Sequence, residues 1–364
     1  MTALEHLETP FVAIDLDIME RNLQYMQQLA NAHRLGLRPH TKTHKQPTLA
    51  RRQYELGARG LTVARLDEAE MLLSAGLYDV LIAYPLVGEL KAFHLATLIT
   101  RGLRPTVAID SVRAMQTVAR AAALADSVVD ILVEVDTGFH RCGLTGSAVV
   151  DLAQMVHQEP GLRFRGLMSF AGHIAGNTDS NHIRALIHDE DQQLGHYRRL
   201  LAEAGLSVDT ISVGGTILAH HMEVLRHATE VRPGIYIFND RSIIASGAVT
   251  VSECAARVWA TVVSCPSDDR AVLDAGSKTL STDGPILDSY GLVVGRPDWR
   301  ITRLSEEHAV VQIPSGASRP QVGERVEIIP NHVCTVINLQ NNVVGIRRSS
   351  IEVMLPIYAR GGPC

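Results

Sequence analysis

The feature that most constrains this chain is a regular alternation over its first 250 residues. Short apolar runs recur: "GLRPHTK" (36–42), "GLTVAR" (60–65), "DVLIAY" (79–84), "RPTVAID" (104–110), "VVDILVEVD" (128–136), "FRGLMSF" (164–170), "TISVGG" (210–215) and "VRPGIYIF" (231–238). Most are bounded by Gly, Pro or Asp and rich in Val and Ile, the marks of strands buried on both faces in a parallel sheet. Helix-period stretches separate them, such as "LDEAEMLLSAG" (66–76), "SVRAMQTVARAAALA" (111–125) and "DEDQQLGHYRRLLAEAG" (189–205), with a polar start or a glycine stop. Eight strands with intervening helices over roughly 230 residues fit a (β/α)8 TIM barrel by count and size. A doubly wound sheet satisfies the same periodicity, which does not report closure. After residue 250 short alternating strands take over, including "ECAARVWATVVSC", "HAVVQIP" and "ERVEIIP", and these read as an antiparallel β domain. "PFVAIDLD" (10–17) is one more strand, ahead of the first helix, and suits either part.

Charge and composition narrow the partners. A net charge of −5 with no block of like charge gives no footprint for nucleic acid or an anionic membrane. No apolar run approaches the ~18 residues of a membrane span, and "MTALEHLETP" lacks the basic and apolar regions of a signal peptide. The five cysteines (Cys142, Cys254, Cys265, Cys334, Cys364) are odd in number and irregularly spaced, so no disulfide framework is implied. These features set the expectation of a cytoplasmic, soluble protein.

Candidate chemistry gathers in four stretches. In "LRPHTKTHK" (37–45), a strand would place Arg38, His40 and Lys42 on one face, with Lys42 at its carboxyl end. In barrel enzymes chemistry sits at that end, and a desolvated lysine there is a candidate amine nucleophile. Lys45, three residues on, suits a surface position better. "SVGGT" (212–216) ends a late strand in a glycine pair and a hydroxyl, a turn that can offer N–H groups to phosphate, and "EVRPGIY" (230–236) adds Gly234 and Tyr236. Neither nucleotide-binding glycine pattern occurs, and a lysine with a phosphate cup on a barrel points to pyridoxal phosphate. In "VEVDTGFHRCGL" (133–144), Arg141 follows the fifth strand, and sequence chemistry alone reads it as capping a loop. In "PNHVCTVIN" (330–338), His332 and Cys334 are two apart, on one face of an extended segment, and could share a divalent ion. A thiolate with an imidazole suits zinc first, with manganese as the alternative; two protein ligands would leave open positions, as at a catalytic ion. The plainer reading is a core cysteine beside a surface histidine.

Together, "RPHTKTHK", "VEVDTGFHRCG", "GHIAG", "SVGGT", "RPGIYIFND", "DAGSK" and "IIPNHVC" resemble the D-threonine aldolase/D-serine dehydratase family from about residue 9 to 356. That family consists of pyridoxal-phosphate enzymes of the alanine racemase fold type. The resemblance implies a barrel over 18–249, a β domain from 1–17 and 250–364, and a homodimer with sites near the subunit boundary. It implies that Lys42 is the Schiff-base lysine, that Arg141 lies near the cofactor's phenolic oxygen, and that Gly214, Gly215, Thr216 and Gly234 bind its phosphate. His332 and Cys334 match the divalent-metal ligands.

On a D-β-hydroxy-α-amino acid such a site supports two reactions. β-Elimination gives a 2-oxo acid and ammonia, with Lys42 as the base at Cα; retro-aldol cleavage gives glycine and an aldehyde, with His173 as the base on the hydroxyl. Family aldolases usually place an aspartate where Cys334 stands and dehydratases a cysteine, which favours elimination. "VRPG" resembles the aldolase and racemase side, where Arg232 would face the pyridine nitrogen and weaken the electron sink. Phe170 stands where a tyrosine is often found. A racemase would need a second base such as Tyr290, and a cofactor-storage protein would lack residues 250–364. Glu307 and Asp274 acquire no role from sequence.

Overall fold

The computed structural model describes residues 3–283, 286, 288–348 and 350–361. The first strands are β1 (Phe11–Asp15), β2 (Gly36–Leu37), β3 (Leu61–Val63), β4 (Asp79–Ile82), β5 (Arg104–Ile109), β6 (Val129–Val135), β7 (Leu162–Ser169), β8 (Thr210–Gly214) and β9 (Glu230–Arg232). From β2 onward these form one parallel sheet, in the order β2-β9-β8-β7-β6-β5-β4-β3. Closure comes between its ends. Arg59 N–H donates to the Leu37 carbonyl and Thr62 N–H to the Pro39 carbonyl, both at 2.8 Å, and His40 bridges Thr62 in parallel. The barrel is therefore the alternative that stands.

Helices α1 (Leu16–Ala32), α2 (Pro47–Glu55), α3 (Leu66–Ser74), α4 (Glu89–Thr100), α5 (Val112–Leu124), α6 (Ser147–Gln158) and α7 (Ser180–Glu203) surround it. Several starts are legible. Ser111 caps α5 by accepting from the Ala114 N–H, and Asp179 caps α7 by accepting from the Asn181 N–H. α7 begins at Ser180 rather than Asp189 because Ile183 and Ile187 extend the buried stripe of Leu194 and Leu201 toward the cap. Inside the barrel, Leu81, Ala108, Leu132 and Met168 form an apolar layer contributed by β4, β5, β6 and β7.

The second sheet uses β10 (Ala256–Ser267), β11 (Arg270–Leu273), β12 (Gly291–Val293), β13 (Arg300–Leu304), β14 (Ala309–Gln312), β15 (Arg325–Pro330), β16 (Asn342–Arg347) and β17 (Ser350–Pro356). Its order is β13-β14-β11-β10-β1-β16-β17, with β15 pairing β10 and β12. Along "ARVWATV" burial alternates residue by residue, as a half-buried strand requires. The expectation of an antiparallel sheet needs one correction: β1 runs antiparallel to β10 but parallel to β16, so the sheet is mixed. A parallel pair needs a long crossover, and here the chain between the two strands includes the whole barrel and β10–β15.

Lys45 also differs from expectation. It is 7 % exposed, and its ammonium donates to Asn338 Oδ1 (2.7 Å) and the Ala359 carbonyl (2.8 Å) while facing Glu68 at 3.4 Å. It ties the barrel to the chain's last segment. Among the described residues no helix is long and apolar enough to cross a membrane.

Candidate active site

The stretch around Lys42 is less extended than its sequence suggests. β2 ends at Leu37, and Thr41–Thr43 is a 3-10 turn capped by the His40 ring, whose Nδ1 accepts the Lys42 N–H at 3.4 Å. Lys42 thus sits in the turn just beyond the strand, at the barrel mouth. Its ammonium has no hydrogen-bond or ion-pair partner among the described residues. Burial holds the His40 imidazole well below its ordinary range, and the charges of Lys42 and Arg232 push the same way. Lys42 therefore has a neutral imidazole beside it, not a second cation.

β9 ends at Arg232, earlier than the run "VRPGIYIF" suggests, and the chain turns at Pro233 into the short 3-10 segment Ile235–Ile237. Arg232 lies fully inside. Its guanidinium donates to Ser212 Oγ (2.8 Å) and to the Ser169 carbonyl (2.7 Å). Burial pushes its pKa down to about 10 against the pull of Glu230 and Glu134, so it stays cationic at neutral pH. Ser169 Oγ donates to Glu190 at 2.5 Å, and burial pushes that carboxyl up to about 7.

Two glycines of the expected phosphate cup have a packing reason to be glycine. A Cβ at Gly214 would stand 2.9 Å from both Arg232 Nη2 and Phe170 Cδ2; one at Gly234 would stand 2.8 Å from Thr43 Oγ1. Gly215 leads into the short helix Thr216–Ala219, its N–H 3.5 Å from the Arg232 carbonyl, and Thr216 Oγ1 accepts the Tyr236 N–H at 3.2 Å. The Tyr236 side chain is buried, with its hydroxyl on Gln53 of α2. Its hydroxyl, pushed well above its ordinary range by burial in spite of the Gln53 contact, accepts from Gln53 at 2.9 Å.

Arg141 is carried into the same mouth by the loop after β6. Its guanidinium carbon lies 4.8 Å over the Phe170 ring and 5.2 Å over Phe139, both within cation–π range. Phe170 thus offers Arg141 a ring face without the hydroxyl that a tyrosine would carry. His173, in the 3-10 turn Gly172–Ile174, lies beside Gly138; its Nδ1 is buried without a hydrogen-bond partner, and burial lowers its pKa.

The second constellation is not on an extended segment. His332 precedes the helix Val333–Leu339, and Cys334 is in its first turn. The Cys334 sulfur nevertheless acts electrostatically on the His332 ring, and His332 Nδ1 pairs with Asp283 Oδ2 at 2.5 Å. Burial opposes the imidazolium, yet Cys334, Asp240 and Asp283 outweigh it and hold the ring well above its ordinary range. Surroundings negative enough to keep a proton there would favour a divalent cation in its place. Among the described residues no group of three or more His, Cys, Asp or Glu converges as a complete metal site. Cys334 Sγ lies 3.1 Å from Thr43 Oγ1, so this pair is docked on the lysine turn.

Sequence reasoning missed Asp240 and Thr43. Asp240 Oδ1 caps the helix Arg241–Ala245, and its Oδ2 accepts the Val333 N–H at 2.9 Å, holding the His332–Cys334 turn to the barrel. "ND" before a short apolar run is a capping signal; the second bond has no local signal. Asp274 accepts from Thr9 Oγ1 (2.5 Å) and the Thr261 N–H (2.7 Å), and Glu307 pairs with exposed Lys278 at 2.9 Å. Tyr290 packs against the core with its N–H on the Ile301 carbonyl. Cys142, Cys254, Cys265 and Cys334 are free thiols, and Cys364 lies outside the described residues.

Comparison with known proteins agrees with this geometry. Residues 14–242 match the family described as alanine racemase, N-terminal domain, and residues 255–346 match a putative serine dehydratase domain. The D-threonine aldolase of Arthrobacter sp is 34% identical over 362 residues, covering 98% of this chain and 94% of the relative. The solved D-threonine aldolase of Filomicrobium marinum matches with a TM-score of 0.90 at 33% identity, over 97% of this chain and 96% of that one. The D-threo-3-hydroxyaspartate dehydratase of Delftia sp. is 31% identical over 90% of this chain and 91% of its own length. A cysteine-to-alanine mutant of a D-threo-3-hydroxyaspartate dehydratase, solved in the metal-free form, covers 98% of this chain and 99% of its own at 29% identity, with a TM-score of 0.89. Fold and site together define an alanine-racemase-like enzyme of the lyase class. The chain belongs to the D-threonine aldolase/D-serine dehydratase family.

Proposed function

We propose that this protein is a pyridoxal-phosphate- and divalent-metal-dependent dehydratase of D-β-hydroxy-α-amino acids, acting as a cytoplasmic homodimer. It would release a 2-oxo acid and ammonia by β-elimination. The observation that carries the reading is the Cys334 thiol, 3.1 Å from the hydroxyl of the residue next to Lys42. The chain's own groups fit the cofactor: an unpartnered lysine amine, a buried arginine and the Gly214–Thr216 turn meet at one end of the barrel. When bound, pyridoxal phosphate supplies an aldehyde for the amine and a conjugated ring that draws electrons from the substrate's Cα. A divalent ion on His332 and Cys334 supplies Lewis acidity toward the β-oxygen.

The residues then divide the work. Lys42 Nζ takes the Cα proton, beside an imidazole that does not compete as a cation. His332 and Cys334 offer an imidazole nitrogen and a sulfur on the lysine's side of the mouth, and Asp283 orients the ring. Arg232 keeps a full positive charge at the end of β9, anchored by Ser212 and Ser169. Arg141, stacked on Phe139 and Phe170, adds a second cation.

Retro-aldol cleavage to glycine and an aldehyde is the second reading. It is favoured by His173, a half-buried imidazole with an unpartnered Nδ1, able to take the β-hydroxyl proton. D-threonine separates the two. The loaded protein is expected to yield 2-oxobutyrate and ammonia by mass spectrometry, and Lys42→Ala to lose activity by at least about a thousandfold. Glycine with acetaldehyde would transfer the assignment to the aldolase reading.

A further inference from the structure

The barrel has a second opening, at the N-terminal ends of its strands and therefore on the face away from Lys42. A cavity of about 360 Å³ lies there, within the range of small-ligand pockets. Five arginines line it against three carboxylates, and the pairing uses every carboxylate. Arg38 takes Asp79 (2.6 Å) and Glu230 (3.0 Å), and Arg163 takes Asp130 (2.5 Å). Arg165 reaches outside the lining to Asp209 at 2.9 Å. The guanidinium groups of Arg59 and Arg104 make no hydrogen bond or ion pair among the described residues.

A ring of ion pairs that only sealed the barrel floor would tend toward charge balance. This one, with Asp209 counted, has one positive charge in excess; its two unpaired guanidinium groups, Arg59 and Arg104, line one concavity whose polar wall is unsuited to an apolar ligand. Like charges facing one hollow repel each other. A multivalent oxyanion relieves that repulsion and matches the planar fork of each guanidinium. We propose that this cavity is a second binding site, separate from the lyase site, for a small multivalent oxyanion held by Arg59 and Arg104. A di- or tricarboxylate and a phosphate ester share this chemistry.

Calorimetric titration of the protein saturated with pyridoxal phosphate, at low ionic strength, tests it with citrate and inorganic pyrophosphate as probes. One site per chain with a Kd below about 1 mM is expected for at least one probe. Heat from citrate alone assigns carboxylates, and from pyrophosphate alone phosphates. Arg59→Gln/Arg104→Gln is expected to weaken binding at least tenfold and leave the melting temperature unchanged, since neither side chain has a partner to lose. No heat from either probe, or equal affinity in the variant, overturns the proposal. So does pyrophosphate binding that saturation with cofactor removes. A protein that takes up no cofactor would defeat the dehydratase reading instead, and the same titration without cofactor would still decide this one.

Discussion

Thr43 has no charge and no catalytic reputation, yet its hydroxyl is the contact between the lysine turn and the thiol of Cys334, across 291 positions of sequence. It is fully buried, and Gly234 leaves it room. A hydroxyl donating to a metal-bound thiolate steadies the ligand and sets its basicity. Thr43→Val is therefore expected to lower metal affinity by about 10- to 100-fold in a chelator-competition titration. Thr43→Ser, which keeps the donor, is expected to retain most of it. Equal affinity in all three proteins would reduce the contact to packing. The place of Lys42 at the carboxyl end of a strand was legible from side-chain period, and the Schiff-base role came with the family resemblance. Thr43 was not legible, because buried threonines are common and the partner is remote.

Among the elements, the short helix Val333–Leu339 was read as extended, since H-x-C suggests a shared strand face. Pro330 ends β15, and Asp240 replaces the continuing sheet with a carboxylate cap on the Val333 N–H. Asp240 is fully buried and also accepts from Ser242 and Ile243, so Asp240→Ala would strip partners from two helix starts. A loss on the order of 3 kcal/mol is expected in urea unfolding, with a smaller loss for Asp240→Asn. A loss under about 1 kcal/mol would mean that water replaces the cap. The opening strand shows the same limit at the other end of the site. "GLRPHTK" holds only two residues of β2, because His40 turns back to cap the turn bearing Lys42. Its alternation survives in part, with Arg38 inside on Glu230 and His40 and Lys42 toward the mouth.

For the whole molecule, the question is how a barrel and a mixed sheet act as one body. β1 lies within the second sheet and leads directly into α1, while Lys45 and Gln46 reach forward to Ala359 and Pro356. Lys45→Met would strand Glu68, buried with its pKa raised by that burial, without its cation. Removing one partner of a buried pair costs roughly 3–5 kcal/mol. Trp259 and Trp299 both belong to the second sheet's part of the chain, so their fluorescence reports that part while helical circular dichroism follows the barrel. Both signals are expected to shift together to lower denaturant in Lys45→Met. Separation of the two transitions in the unmutated protein would show that these ties do not couple the parts.

The sequence by itself determined the alternation of strands and helices, the change of texture after residue 250 and the location of Lys42 at the end of an apolar run. Those features follow from local rules, side-chain period, caps and turn residues, that act over a few neighbours. Tertiary structure alone decided the closure between β2 and β3, the parallel pairing of β1 with β16, and the meeting of Cys334 with Thr43. Each joins segments that no local pattern relates. Their partners are selected only when burial of the whole core fixes which strand ends share the barrel mouth.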